Sequence, residues 1–153
     1  MTKDLWAGGP PRGNDGTPLG AMRTRPHVEG QNDTVLVVDD DTSILDTVTA
    51  ILAGEGYEVV SAASGQEALD AVARKRPLVI LLDMRMPVMD GWAVARALRG
   101  QGINVPIVVM TAAESAKRWA EEVGAEGYLA EPFGLDDLLA AVERFRGPTG
   151  RVN

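Results

Sequence analysis

The 153-residue sequence contains no cysteine and only one histidine, His27. The lack of cysteine excludes disulfides, thiol catalysis and cysteine metal sites, and it fits a cytoplasmic protein. A single histidine argues against a histidine-based phosphotransferase or a histidine-rich metal enzyme. No apolar run reaches the length of a membrane span, and the first residues lack a basic-then-apolar signal pattern. We therefore expect no membrane association.

The 15 lysines and arginines are outnumbered by 22 aspartates and glutamates, which gives a formal net charge of -7. Nonspecific nucleic-acid binding needs a basic surface to neutralise phosphates, so direct contact with nucleic acid is not expected. The hydrophobic share of 45% is ordinary for a globular protein. The length and composition together predict one folded domain with a flexible tail.

Residues 1–33 differ in composition from the remainder of the chain. They are rich in glycine and proline, lack periodicity and carry charges that cancel. Such a segment buries too little apolar surface to offset its ordering entropy, so we expect a flexible tail in preference to a partner-binding arm. The folded domain is predicted over residues 34–146, and residues 147–153 form a short C-terminal tail.

Strand-like and helix-like segments alternate from Thr34 onward. Strands are predicted at 34–38, 57–62, 77–82, 105–110 and 126–129. Helices are predicted at about 42–54, 64–75, 90–99, 113–123 and 135–146. The last helix is expected to face the core with Leu135, Leu138, Leu139 and Val142. Five such repeats with short connections predict an α/β fold, a doubly wound, mostly parallel sheet with helices on both faces.

Acidic residues follow two of the predicted buried strands. Asp83 ends the apolar run 77–82, and Asp39-Asp40-Asp41 follows the run 34–38. Open α/β sheets place their chemistry at the carboxyl ends of the strands. The sequence therefore predicts one site in which a divalent cation lies beside a nucleophilic aspartate.

Four motifs at predicted strand ends carry a resemblance to a known family. They are Val-Val-Asp-Asp-Asp at 37–41, Leu-Leu-Asp-Met-Arg-Met-Pro-Val-Met-Asp-Gly at 81–91, Val-Met-Thr-Ala at 109–112 and Gly-Ala-Glu-Gly-Tyr-Leu-Ala-Glu-Pro-Phe at 124–133. With these motifs, residues 34–146 resemble the receiver domain of two-component response regulators. The resemblance implies a flavodoxin-like (βα)5 fold with a five-stranded parallel sheet in the order 2-1-3-4-5.

The resemblance also implies roles for the acidic residues. Asp83 corresponds to the phosphoacceptor, which takes a phosphoryl group from a sensor histidine kinase or a histidine phosphotransfer protein. Asp39 and Asp40 resemble the pair that binds Mg²⁺, and Asp83 and the main-chain carbonyl of Arg85 complete the protein ligands. Asp41 is expected to cap the first helix. Apart from its own phosphotransfer, with dephosphorylation left open, no enzyme activity is implied.

Two further residues resemble the family's conformational switch. Thr111 corresponds to the hydroxyl that contacts the phosphoryl group, although Thr111-Ala112-Ala113-Glu114 is also a helix capping-box pattern. Tyr128 corresponds to the aromatic residue that turns inward when the hydroxyl moves. The implied output is a protein contact, with an unidentified partner docking on the fourth helix, fifth strand and fifth helix.

Glu131 departs from the family pattern, which has a lysine directly before the Pro-Phe pair. An anion here, beside several carboxylates, costs on the order of a few kcal/mol at intermediate dielectric. Arg85 is a candidate compensating cation, although it also fits an ordinary solvated loop arginine.

The departure leaves two hypotheses. The first is a phosphorylatable single-domain response regulator, since no output domain follows the fifth predicted helix. The second is a pseudo-receiver that keeps the fold and acts by protein binding without phosphorylation.

Overall fold

The computed structural model describes residues 32–146, in which five strands and five helices alternate along the chain. The strands are β1 (Thr34–Val38), β2 (Glu58–Ala62), β3 (Val79–Asp83), β4 (Ile107–Ala112) and β5 (Gly127–Glu131). The helices are α1 (Thr42–Gly54), α2 (Gly65–Arg74), α3 (Gly91–Gly100), α4 (Ala113–Val123) and α5 (Leu135–Glu143). Within residues 32–146, no helix is both long enough and apolar enough to span a bilayer.

The strands form one parallel sheet in the order β2-β1-β3-β4-β5, which confirms the predicted fold. In the register, Val38 of β1 lies opposite Leu82 of β3, and Asp83 lies opposite Met110 of β4. Because parallel strands all end at the same edge of the sheet, this register places the residues that follow β1 beside the end of β3.

Every residue of the central strands β1 and β3 is buried. Successive side chains point to opposite faces, so Leu36 packs in one apolar cluster and Val37 in the other. Helices α2, α3 and α4 cover the first cluster, whereas α1 and α5 cover the second. Burial on both faces explains why the sequences of these two central strands are mostly apolar.

The predicted core-facing side of α5 is wrong at one of its four residues. Leu138 and Val142 are fully buried, and Leu139 is partly buried against the same cluster, as predicted. Leu135, in contrast, is 51% exposed. It is the first residue of the helix and lines an open cavity toward α1 instead of the buried cluster.

The predicted cap of α1 is confirmed, α2 also begins with a side-chain cap, and α4 does not. Asp41 caps α1, and its Oδ1 accepts hydrogen bonds from the amides of Ser43 at 2.9 Å and Ile44 at 3.4 Å. Ser64 caps α2 by accepting from the Glu67 amide at 3.2 Å. Thr111-Ala112-Ala113-Glu114 matches a capping-box pattern, but Thr111 stays within β4 and α4 begins without a side-chain cap.

The folded unit begins earlier than residue 34. Asp33, assigned to the tail by composition, is buried, and its Oδ1 lies 2.9 Å from Nε of Arg146. The Asn32 side chain donates a hydrogen bond to the Arg76 carbonyl at 3.0 Å and accepts one from the Thr34 amide at 3.0 Å. Composition could not reveal these long-range contacts. The predictions for residues 1–31 and 147–153 lie outside the described residues.

Strand β5 continues to Glu131, two residues beyond the predicted end. It pairs with β4 to the last residue, with Ala112 opposite Glu131. The ladder with β4 includes Ala130 and Glu131, which the predicted strand left out. The consequence is that Glu131 is held by the sheet, and the peptide bond that follows it, to Pro132, is cis.

Val88, in the loop after β3, adopts a left-handed backbone conformation with φ of 69° and a fully exposed side chain. A β-branched residue is disfavoured there. We expect Val88→Gly to raise the free energy of unfolding by about 0.5–1 kcal/mol, after the entropy of glycine in the unfolded chain is subtracted. Urea denaturation measures the change, and Val88→Ala, which keeps Cβ, is expected to gain less. A lower stability for Val88→Gly would contradict this prediction.

Candidate functional site

Three carboxylates meet at the carboxyl edge of the sheet. Asp39 and Asp40 follow β1, and Asp83 is the last residue of β3. One oxygen from each lies within 4.8 Å of the others. Asp39 and Asp83 are buried, whereas Asp40 is exposed. The structure therefore brings together the residues that the sequence predicted to form one site.

Main-chain amides orient the two buried carboxylates. Asp39 accepts a hydrogen bond from the Asp41 amide at 2.9 Å, and Asp83 accepts one from the Arg85 amide at 3.1 Å. Each bond joins an aspartate to the amide two residues later, which is the local turn that aspartate favours at a strand end. The carboxyl groups of Asp39 and Asp83 also share a hydrogen bond with each other.

The electrostatics of this cluster disfavour three ionised groups. Burial, and then the neighbouring charge of Asp39, raises the pKa of Asp83 to about 7, against the lowering effect of the Arg85 amide. Burial also raises the pKa of Asp39, and the charges of Asp40 and Asp41 add to it. A bound cation would remove this cost.

The donor set fits magnesium. Mg²⁺ prefers hard oxygen ligands and keeps several waters, so it is bound by a few carboxylates and not by a closed protein cage. Two buried carboxylates with one exposed carboxylate at the rim provide such an open arrangement. The part predicted for the main-chain carbonyl of Arg85 stays a prediction.

The predicted switch residues lie on the next two strands. Thr111 is 3% exposed and follows Met110, the partner of Asp83, so its position is one residue further along the edge of the sheet. Tyr128 lies opposite Val109 on β5 and is 47% exposed. The two side chains thus differ in accessibility, since Thr111 is buried and Tyr128 is half exposed.

Glu131 extends the acidic character of the site toward α1. It is partly buried, and its pKa is raised first by burial and then by the charges of Asp39 and Asp41. In residues 32–146, no lysine or arginine forms an ion pair with it. The family's cation is therefore replaced by a carboxylate whose charge acts on the site.

Arg85, the candidate compensating cation, lies on the other side of the loop. Its side chain is exposed, and its guanidinium carbon is 6.0 Å from the centroid of the Trp119 ring. Trp119 in turn packs edge-on against Trp92, with ring centroids 4.8 Å apart. The two tryptophans contribute to the packing of α3 against α4, and in this arrangement Arg85 interacts with α4 and not with Glu131.

Beside the acidic site lies a feature that the sequence did not reveal. An open cavity of about 600 Å³ separates α1 from the start of α5, and we call it the α1–α5 groove. Its lining residues are Ser43, Ile44, Thr47, Val48, Ile51, Ala112, Glu131, Pro132, Phe133, Gly134, Leu135 and Leu138. Leu135, which was predicted to face the core, lines this groove instead.

Comparisons with known proteins agree with this geometry. Response regulator MprA of Mycobacterium tuberculosis is 44% identical over 108 residues, which are 69% of this chain and 47% of that protein. MprA of Mycobacterium leprae is 42% identical over 110 residues, covering 71% of this chain and 48% of that protein. The chain thus spans about half the length of the curated relatives it matches.

Solved structures give the same result. The Vibrio cholerae chemotaxis protein CheY4 superimposes with a TM-score of 0.68 and 38% identity, covering 74% of this chain and 98% of that structure. The Francisella response regulator 1452 receiver domain reaches a TM-score of 0.70 with 32% identity, covering 77% and 99%. The family model of the response regulator receiver domain matches residues 35–143. The chain therefore belongs to the response regulator receiver domain family.

Proposed function

We propose that this receiver accepts a phosphoryl group on Asp83, in a Mg²⁺-dependent manner, from a sensor histidine kinase or a histidine phosphotransfer protein in the cytoplasm. The observation that supports this most is the clustering of Asp39, Asp40 and Asp83 oxygens within 4.8 Å. An Asp83 oxygen attacks the phosphorus of phosphohistidine, the P–N bond breaks, and the imidazole leaves with the bonding electrons. The product is an acyl phosphate on Asp83.

Asp39, Asp40, Asp83 and the Arg85 carbonyl would hold the metal ion. When bound, Mg²⁺ supplies positive charge that offsets repulsion between an anionic nucleophile and an anionic donor. The amide of Arg85 donates a hydrogen bond to one Asp83 oxygen at 3.1 Å, which orients the carboxylate for attack. Burial of Asp83 limits the access of water to the acyl phosphate.

The output of the proposed switch is a protein contact. Thr111 is buried next to Asp83 along the sheet edge, where its hydroxyl can donate to a phosphoryl oxygen. Tyr128 is half exposed on β5, between α4 and α5, so its inward rotation would change that surface. A local charge change coupled to a side chain with two positions is a common basis of such switches. The downstream partner would bind at the α4-β5-α5 face.

The experiment is incubation of the full chain with Mg²⁺ and acetyl phosphate, followed by intact mass measurement. We expect a mass gain of one phosphoryl group, because the Asp83 carboxylate displaces acetate from the donor. Asp83→Asn is expected to lose the adduct, and EDTA is expected to prevent it. Asp90→Asn is the matched control, since Asp90 caps α3 through a 2.9 Å bond to the Ala93 amide and lies outside the cluster.

A second candidate function, a pseudo-receiver acting only by protein binding, is favoured by Glu131. Its carboxylate faces Asp39 and Asp41 without a paired cation among the described residues, so it opposes a further negative group. If the native protein gives no adduct while Glu131→Lys gives one, the pseudo-receiver is correct. An adduct on both would show that phosphotransfer does not need the lysine.

A further inference from the structure

The α1–α5 groove combines an apolar floor with an acidic end. Apolar side chains from both helices line it, and Leu135 is 51% exposed there although it is a large aliphatic residue. Glu131 lies at one end, close enough to Asp39 and Asp41 for their charges to act on it. An occupant that complements this surface needs apolar side chains together with positive charge.

The chain itself contains such a segment. Residues 22–28, Met-Arg-Thr-Arg-Pro-His-Val, carry two arginines, no acidic residue and apolar positions at both ends. Arginine is well suited to this role, because its planar guanidinium can pair with carboxylates through two hydrogen bonds. The domain has a large excess of negative charge, so attraction between the two is also favoured at longer range.

The point where the described chain begins puts this segment within reach. Asp33 pairs with Arg146, and the Arg146 guanidinium lies 4.7 Å from the centroid of the Tyr57 ring. Tyr57 belongs to the apolar cluster covered by α1 and α5. The side chain of Asp33, next to the first described residue, therefore lies on the face of the sheet that carries the groove.

The available length is sufficient. Arg25 lies seven positions before Asn32, which corresponds to about 23 Å of extended chain. The strand β1, whose five residues run from the entry edge to the acidic edge, spans about 17 Å. Glu131 lies three strands across from β1, which adds about 14 Å across the sheet, so the direct distance is about 22 Å. Arg25 can reach this end of the groove only with a nearly extended chain, whereas Arg23, nine positions before Asn32, has about 30 Å of chain and reaches it with slack.

We propose that residues 22–28 of this chain bind in the α1–α5 groove, with Arg23 and Arg25 pairing with Glu131 and the neighbouring aspartates. The segment would supply in cis the positive charge that position 131 lacks. Its occupancy would also cover α1 and the loop after β5, so that binding of any partner to that face would compete with the tail. The contact concerns binding and does not require that Asp83 be phosphorylated.

The absence of cysteine allows a direct test in the full chain. Thr24→Cys introduces one attachment site for a nitroxide spin label between the two arginines. We expect the amide NMR signals of Ser43, Thr47 and Leu135 to lose most of their intensity, compared with the reduced label. Ala97 in α3, whose helix covers the opposite face of the sheet, is expected to keep its intensity.

Charge variants and a mixing experiment complete the test. In labelled Thr24→Cys, the further change Glu131→Gln or Arg23→Gln/Arg25→Gln is expected to restore most of the groove signals. The proposal would be overturned if the groove signals keep their intensity in labelled Thr24→Cys. It would also be overturned if the loss of intensity persists in both charge variants. Loss that appears when labelled protein is mixed with unlabelled isotope-enriched protein would also overturn it, because the occupant would then be a second copy.

Discussion

Asp33→Ala is expected to lower the free energy of unfolding by about 3–5 kcal/mol, the cost of leaving one member of a buried ion pair without its partner. Asp33 and Arg146 have side chains that are 6% and 2% exposed, with 2.9 Å between Oδ1 and Nε. The pair joins the residue before β1 to the segment after α5, so its loss affects both ends of the described fold. Urea denaturation followed by circular dichroism measures the change.

Two variants make this prediction specific. Arg118→Gln removes an exposed pair with Glu122, whose closest atoms are 3.9 Å apart, and should change stability by less than about 1 kcal/mol. Asp33→Leu/Arg146→Met replaces both charges and should recover much of the loss, since no unpaired charge then remains buried. If Asp33→Ala costs no more than Arg118→Gln, the buried pair does not stabilise the fold as we describe.

Asp83→Asn is expected to raise the free energy of unfolding by about 1–3 kcal/mol at pH 8 in the presence of EDTA. Burial and Asp39 raise the pKa of Asp83 to about 7, so at pH 8 the folded protein holds an unfavourable carboxylate that is solvated in the unfolded chain. Asparagine removes that charge while keeping the shape. Without bound metal, the ionised Asp83 is thus expected to lower the stability of the folded protein.

The sign of the pH dependence follows from the raised pKa. As pH rises from the unfolded value of about 4 to the folded value of about 7, the native protein loses stability that the Asp83→Asn variant keeps. The difference in the free energy of unfolding between Asp83→Asn and the unsubstituted protein should therefore be smaller at pH 5 than at pH 8. Adding Mg²⁺ should reduce this difference further, because the ion stabilises only the protein that keeps Asp83. Asp40→Asn, which removes the exposed carboxylate, is the control and is expected to raise the free energy of unfolding by less. A destabilised Asp83→Asn in EDTA would contradict the account.

Much of the site could be predicted from the local sequence. The runs 35–38 and 79–82, which form most of β1 and β3, are apolar throughout because helices cover both faces of the sheet, and this pattern marks them as central strands. Asp39 and Asp83 follow these runs directly, so their meeting at one edge follows from parallel pairing alone. The cap formed by Asp41 is local too, since its bonds reach only two and three residues ahead.

Contacts between segments distant in the sequence could not be predicted in this way. Asp33 belongs by composition to the tail, and only its pairing with Arg146 at the other end of the fold shows that it is buried. Thr111 has a capping pattern with Glu114, but the ladder between β4 and β5 holds it in the sheet. Arg85 lies over Trp119 because α4 packs beside the loop, which no local pattern specifies.

The sequence by itself determined the order of elements, the two central strands and the acidic edge, because each depends on periodicity and on residues adjacent in the chain. Tertiary structure decided what surrounds that edge. Pairing with Ala112 extends β5 and fixes Glu131 beside the aspartates, and the approach of α5 to α1 leaves Leu135 exposed in a groove. These features arise from packing between segments far apart in sequence, and local preference carries no information about them.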